Sequence, residues 1–131
     1  MEIKKVLREK AKEAAANAYS PYSTAKVGSA IIMSDGSIYT GCNIENASYG
    51  GTICAERVAI LKAVSEKKMQ IDKVYVYTKE GWPPCGMCRQ VMSEFAGPNM
   101  EVIMGDETGK ETCMKFSDLM PLSFTPGHLQ K

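Results

Sequence analysis

The sequence has 131 residues, of which 44% are hydrophobic and 24% charged, and its formal net charge is +1 at pH 7. We expect one domain over residues 1–131, with the composition of an ordinary water-soluble fold. The near-neutral charge provides no basic surface for a nucleic acid polymer or an anionic membrane, so a small-molecule substrate is the better expectation. No apolar run is long enough for a membrane span, and residues 1–19 lack a secretory signal's apolar stretch. We therefore expect a cytoplasmic protein whose five cysteines are reduced.

The first half of the chain is predicted to fold as a helix, a hairpin and a second helix. Apolar residues recur at helical spacing over residues 3–18, and a Ser-Pro pair then ends the helix. Strands are predicted at 27–33 and 38–42, on either side of an Asp-Gly turn signal. A loop over 43–53 leads to a helix over 54–65 that is apolar on nearly all sides, as is typical of a buried helix.

The second half continues with alternating elements. A strand rich in β-branched and aromatic residues is predicted at 73–78, and a third helix at 86–95. Short strands follow at 101–104 and 111–116, with a helical turn at 118–122. The order α-β-β-α-β-α-β-β predicts an α/β fold in which one mixed five-stranded sheet lies between helices on both faces, a three-layer α/β/α arrangement.

Three cysteines share the same predicted setting, the beginning of a helix. Cys54 begins the second predicted helix, and Cys85 and Cys88 begin the third. The free N–H groups at a helix N-terminus stabilise thiolate, the form that binds metal. Three protein ligands would leave one tetrahedral position of a zinc ion open, as in catalytic sites. Two alternatives remain at this point: cysteines as small core residues, and a thioredoxin-like redox pair of Cys85 and Cys88, which leaves Cys54 without a role.

Glu56 and Arg57 extend this candidate site. A carboxylate in the first turn of a buried helix is costly without a partner, and beside an open zinc position it could move protons to and from water and substrate. Glu56 could instead cap the helix N-terminus or pair with Arg57. Arg57 could donate to a thiolate and offset the negative charge of three thiolates around one zinc ion, or it could be a surface residue.

The zinc motifs match a known pattern. Zinc-dependent nucleobase deaminases carry H-x-E followed by P-C-x-x-C, with Cys permitted in place of His. This chain has Cys54-Ala55-Glu56 and then Pro84-Cys85-Gly86-Met87-Cys88. Its single histidine, His128, lies in the tail, so the ligand set would be all cysteine.

The resemblance covers essentially the whole chain. The chain resembles the small homotetrameric cytidine deaminases, on the stretches 20–23, 27–28, 41–47, 52–57, 84–90 and 119–124. The resemblance implies Zn²⁺ as cofactor, a homotetramer, and hydrolysis of cytidine and deoxycytidine to uridine and deoxyuridine plus ammonia in pyrimidine salvage. Glu56 would then be the catalytic proton carrier.

The resemblance also implies roles for residues that would otherwise be ordinary. Asn43 and Glu45 match a segment that binds the ribose hydroxyls, although from composition alone they would be turn residues. The backbone N–H of Ala55 matches one that meets the pyrimidine carbonyl. Tyr49 and Phe124 match aromatics that help to build a neighbouring subunit's pocket; alone, they would be core residues.

The chain departs from the family pattern near the base. Ala25 stands where an aromatic side chain, commonly Phe, usually lies against the pyrimidine, and Ser29 replaces a usual Ala. Trp82, which is unusual before the second zinc motif, could refill that space. Base–aromatic stacking is worth about 1–3 kcal/mol. We therefore predict a roomier base pocket that tolerates substituted cytosines.

Four rival functions remain. A blasticidin S-type deaminase shares the zinc motifs but not the full 43–49 segment. An enzyme that edits RNA or DNA would need a basic surface that the composition does not provide. A zinc-stabilised binding module would need a fourth ligand, and a thiol–disulfide oxidoreductase would leave Glu56 without a role.

Overall fold

The computed structural model describes residues 2–129. The helices and strands are α1 (Ile3–Ala15), β1 (Gly28–Met33), β2 (Ile38–Cys42), α2 (Ala55–Ser65), β3 (Ile71–Tyr77), α3 (Gly86–Phe95), β4 (Ala96–Gly105), β5 (Glu111–Lys115) and α4 (Phe116–Leu119). Short 3-10 turns lie at Tyr49–Gly51 and Pro126–His128. Within the described part of the chain, no helix is both long and apolar enough to cross a membrane.

The five strands form one mixed sheet in the order β2-β1-β3-β4-β5. β1 pairs antiparallel with β2 and β3, β3 runs parallel to β4, and β4 pairs antiparallel with β5. The parallel pair is joined through α3, because strands of the same direction need a crossover connection. The predicted α/β fold class with its mixed five-stranded sheet is confirmed.

The sheet separates two hydrophobic cores, since successive side chains of a strand point to opposite faces. On β1, Ile31 belongs to the larger core with α2 and α3, whereas Ala30 belongs to the smaller core with α1. On β3, Val74 and Tyr75 divide in the same way. The near-continuous apolar runs predicted for these strands follow from this burial on both faces.

Two glycines allow helices to lie directly against the hairpin. A Cβ atom on Gly28 would be 1.8 Å from the Ala11 carbonyl oxygen of α1. A Cβ atom on Gly41 would be 2.5 Å from the Ala55 carbonyl oxygen at the start of α2. Gly41 therefore sets how closely the beginning of α2 approaches β2.

Several predicted boundaries differ from the structure. α1 ends at Ala15 rather than at residue 18, and the chain then joins Tyr19 to Ile44 in a parallel bridge. β4 follows α3 without a turn and begins at Ala96 rather than at residue 101. The Gly97-Pro98 pair is accommodated because the β3–β4 register shifts there, as at a bulge, where Gly and Pro are tolerated. The last short helix lies at Phe116–Leu119 rather than at 118–122.

Candidate metal centre

Two helix N-termini present the three predicted cysteine ligands. Cys54 is the N-cap residue of α2, and Cys85 is the N-cap residue of α3. Both have extended backbone conformations, and Cys88 lies in the first turn of α3, fully buried. The isolated bridge between Ile44 and Ile53 fixes the chain immediately before Cys54.

The sulfur atoms converge at distances that suit one metal ion. The Sγ atoms of Cys54 and Cys85 are 3.7 Å apart, and those of Cys85 and Cys88 are 3.4 Å apart. All three lie within 4.8 Å of one another. A tetrahedral zinc ion with Zn–S bonds of about 2.3 Å would separate its sulfur ligands by about 3.8 Å. The donor set therefore fits zinc, with three protein ligands and one open position.

The cluster already favours a thiolate before any ion binds. The pKa of Cys54 is lowered to about 5, because the Cys88 thiol, the Arg57 guanidinium and the Cys85 thiol stabilise its thiolate. The pKa of Cys88 is raised, because its hydrogen bond to Cys54 and its burial hold its proton. A thioredoxin-like pair would involve Cys85 and Cys88 alone, whereas here Cys54 is an equal member of the cluster.

Glu56 lies beside the sulfur atoms and is almost completely buried. Only 3% of the residue is exposed, and the negative charge of Glu56 contributes to the raised pKa of Cys88. Burial raises the pKa of Glu56 to about 7. Among residues 2–129 the ion pairs join Lys4 to Glu111, Lys68 to Asp35 and Lys73 to Glu101, so Glu56 does not form the alternative pair with Arg57.

Arg57 contacts the cluster from the following position of α2. Its Nη2 donates to the Cys54 Sγ atom over 3.5 Å, and this contact raises the pKa of Arg57. Its Nε atom is buried and has no hydrogen-bond partner among the described residues. Arg57 therefore contacts the sulfur cluster rather than lying free at the surface.

The comparisons with known proteins agree with this centre. Residues 1–105 match the family model described as the cytidine and deoxycytidylate deaminase zinc-binding region. The chain belongs to this deaminase family.

Relatives of the deaminase family match nearly the full chain. A cytidine deaminase of Halalkalibacterium halodurans is 44% identical over 124 residues, which cover 93% of this chain and 94% of the relative. A solved cytidine deaminase from Burkholderia pseudomallei superposes with a TM-score of 0.87 at 40% identity, covering 92% of this chain and 98% of that chain. The Mycobacterium tuberculosis cytidine deaminase gives a TM-score of 0.81 at 35% identity and covers 95% of this chain and 98% of that chain. The predicted family is confirmed, and the match to a zinc-binding region together with the three-cysteine group supports zinc as the cofactor.

Asn43 and Glu45, the residues predicted to bind a ribose, hold the loop at 22–27. The Asn43 side chain accepts from the Val27 amide over 2.9 Å and donates to the Ala25 carbonyl over 2.8 Å. Glu45 Oε1 accepts from the amides of Tyr22 and Ser23, and Oε2 accepts from the Ser23 hydroxyl. These hydrogen bonds lower the pKa of Glu45, and the bond from the Ser23 hydroxyl has the largest effect. The sequence did not predict that Ser23 joins this loop to Glu45, because the contact is between residues 22 positions apart.

The other predicted substrate residues occupy contrasting positions. Ala55 is fully buried as the first residue of α2, where a helix has free N–H groups. Tyr49 is 77% exposed and meets Tyr22 edge to face, at 6.0 Å between ring centroids. Phe124 is 55% exposed and stacks on His128. Neither aromatic is a core residue in the single chain.

A cavity of about 630 Å³ lies next to the loop that carries Ala25. Ala25 and Trp82 line it, together with the end of α1 and the end of β3, whereas the cysteines and Glu56 do not. The Trp82 amide donates to the Thr78 hydroxyl, and the indole is half exposed. The Ser29 hydroxyl is buried and donates to the Tyr75 carbonyl, so this departure from the family pattern leaves no unpaired polar group.

Proposed function

We propose that this chain is a zinc-dependent cytidine deaminase, which hydrolyses cytidine and deoxycytidine to uridine and deoxyuridine with release of ammonia, a reaction of pyrimidine salvage. The observation that carries the proposal is the convergence of three cysteine thiols beside the buried carboxyl of Glu56. The relatives named above are cytidine deaminases, so a blasticidin S-type substrate is not favoured.

Cys54, Cys85 and Cys88 would hold the zinc ion, and Glu56 would carry the protons. A zinc ion with three protein ligands and an open position supplies Lewis-acid activation of water. As the water oxygen bonds to C4 of the cytosine, Glu56 accepts the proton from that water and delivers it to N3. The remaining hydroxyl proton then passes through Glu56 to the amino group, the C4–N bond breaks and ammonia leaves.

The remaining predicted residues would bind and orient the nucleoside. Glu45 Oε2 accepts one hydrogen bond from Ser23 and keeps a further lone pair for a ribose hydroxyl. Asn43 would act near the same diol while it holds the loop. The N–H of Ala55 at the start of α2 would meet the pyrimidine carbonyl, and Arg57 would offset the negative charge of the thiolates.

The test measures deamination and zinc on the same sample. Loss of ultraviolet absorbance with cytidine and deoxycytidine is followed while zinc per chain is determined. Glu56→Gln is expected to retain zinc and to lose nearly all turnover, about a thousandfold or more for a group that moves every proton. Glu94→Gln, at an exposed position of α3, is the matched control and should match the unmodified chain. Substantial turnover by Glu56→Gln would contradict the assigned role.

We also propose that the enzyme tolerates cytosines with substituents at N4 or C5. The supporting observation is the small side chain of Ala25, which lies on the loop that Asn43 holds through its bond to the Ala25 carbonyl. Ala25→Phe should strengthen cytidine binding about tenfold, as one stacked aromatic contributes about 1–3 kcal/mol. The same change should lower kcat/KM for bulky analogues. A strict preference of the unmodified chain for plain cytidine would refute this proposal.

For assembly we propose a homotetramer in which Tyr49 and Phe124 complete a neighbouring subunit's pocket. Their high exposure in a single chain supports this. Sedimentation measures the assembly, and mixing two inactive variants tests the shared pocket. A subunit carrying Phe124→Ala keeps Glu56 and can receive Phe124 from a Glu56→Gln neighbour, so mixed tetramers should regain activity. A monomer, or no recovery on mixing, would contradict the proposal.

We further propose that residues 1–131 work as one catalytic domain in the cytoplasm, where the five cysteines remain thiols. Fractionation of cells that produce the chain tests the compartment. Recovery of the active enzyme mainly outside the cytoplasmic fraction would refute the assignment.

A further inference from the structure

The Arg89 side chain is hydrogen-bonded to the backbone directly before Cys85. Its Nε donates to the Pro84 carbonyl over 2.9 Å, and its backbone N–H donates to the Cys85 carbonyl over 2.9 Å. Pro84 is buried, and Arg89 itself is half-buried on α3. The bond to the Cys85 carbonyl is an ordinary backbone bond of α3, so the side chain itself holds the Pro84 carbonyl, directly before Cys85.

The same guanidinium reaches a distant part of the chain. Arg89 Nη1 donates over 3.0 Å to the carbonyl of Leu119, the last residue of α4. Carbonyls at a helix end have no partner within the helix, so a cation there is favourable. The planar guanidinium can serve two acceptors in fixed directions, which an ammonium cannot do with the same geometry.

The neighbouring residue Gln90 extends this link. Its Nε2 donates over 3.0 Å to the Phe124 carbonyl, so α3 holds the segment at both Leu119 and Phe124. Between these points Leu122 is fully exposed and has a φ of 56°, a strained value for a non-glycine residue. Leu119 and Met120 pack against the larger core, whereas Leu122 and Phe124 are exposed, so the position of this exposed part depends on hydrogen bonds.

We propose that Arg89 is a positioning residue that fixes the Cys85 segment and the 119–124 segment in one arrangement. Through the Pro84 carbonyl its side chain holds the segment that carries the metal ligand Cys85, and through Leu119 it sets where the last part of the chain lies. The inference rests on the zinc site of the proposed function but not on the identity of the substrate. If the side-chain hydrogen bonds of Arg89 are removed, zinc should dissociate faster and the 119–124 segment should become more mobile.

The experiment measures zinc release and local hydrogen exchange on zinc-loaded, full-length protein. Transfer of zinc to an excess of a chromogenic chelator gives the release rate without any substrate. Arg89→Gln should accelerate release at least tenfold and raise amide exchange at 119–124. Gln90→Ala should raise exchange near Phe124 and leave zinc release within twofold.

Arg8→Gln is the matched control on the opposite face of the sheet. Arg8 also makes two side-chain bonds, to the Tyr75 hydroxyl and the Asp106 carbonyl, both over 2.9 Å. A loss of general stability alone would therefore appear in Arg8→Gln as well, whereas faster zinc release should appear only at Arg89. If Arg89→Gln does not fold, Arg89→Lys replaces it, since the proposal requires faster release from that variant also.

The outcomes separate this inference from the proposed function. Unchanged zinc release in the folded Arg89 variant, or equal acceleration by Arg8→Gln, overturns it even if the enzyme deaminates cytidine. Faster release confined to Arg89 supports it even if the natural substrate is another cytosine nucleoside.

Discussion

Replacing Gly41 by alanine tests how the sheet positions the metal ligands. The added methyl group would lie 2.5 Å from the Ala55 carbonyl oxygen, 2.7 Å from the Ala59 nitrogen and 2.9 Å from the Val58 Cβ. All three atoms belong to the first turns of α2, which begin at the candidate site. Since two of them are backbone atoms, no side-chain rotation relieves the contact.

The size of the effect follows from these distances. Ordinary van der Waals contact begins at 3.4 Å, so the beginning of α2 must move by about 0.9 Å. Overpacking of this kind typically costs about 1–3 kcal/mol. A movement of this size is also a large fraction of the 3.7 Å between the Cys54 and Cys85 sulfur atoms, so zinc affinity should fall together with stability.

Urea denaturation and zinc titration provide the two readouts. Gly50→Ala has no atom within 4 Å of the new methyl group and should be near neutral in both. Gly28→Ala meets the Ala11 carbonyl of α1 at 1.8 Å on the opposite face, so it should lose stability while the folded fraction binds zinc normally. A Gly41→Ala protein as stable as Gly50→Ala, or one that binds zinc as tightly as the unmodified chain, would show that this reasoning is wrong.

Two further predictions concern the loop and the core beneath α1. Asn43→Ala removes both side-chain hydrogen bonds to the loop and should lower the unfolding free energy by about 1–3 kcal/mol, which urea denaturation measures. It should also raise KM in steady-state kinetics, and an unchanged KM would contradict this prediction. The pKa of Tyr75 is raised, because its burial and its hydrogen bond to Glu111 disfavour the phenolate, with Arg8 acting in the opposite direction. A phenol that holds its proton more tightly in the folded chain stabilises the fold fully below its unfolded pKa of about 10 and progressively less above it. Tyr75→Phe should therefore flatten the decline of unfolding free energy above pH 10, and parallel pH profiles for the two proteins would rule out this contribution.

The sequence predicted the type and order of the main elements because their hydrophobic patterns are local. The boundaries that differed depend on distant partners. The helix was predicted to continue to residue 18 because apolar residues recur at helical spacing up to that point, but the next residue, Tyr19, donates from its amide to the Asn43 carbonyl. The early start of β4 depends on pairing with Ile71, which no local pattern around Gly97 could indicate.

The candidate site divides in the same way. Cys54, Glu56 and the Cys85–Cys88 pair could be found because helix starts and short spacings are written in the local sequence. The contacts of Arg89 with Leu119 and of Glu45 with Ser23 join residues 30 and 22 positions apart. Their chemistry could be recognised from the sequence, but their partners required the fold.

The spacing of the cysteines gives the zinc ion a mechanical role. Cys54 and Cys85 are 31 positions apart in the chain, yet their sulfur atoms are 3.7 Å apart in the fold. An unfolded chain that used both residues to hold one ion would lose about 3–4 kcal/mol of loop entropy. The folded chain has already closed this loop, so the ion binds the folded chain more tightly than the unfolded chain. The bound ion then joins α2 to α3 as a disulfide would in a secreted protein. Chelation should therefore lower the melting temperature, acting as the removal of a reversible cross-link.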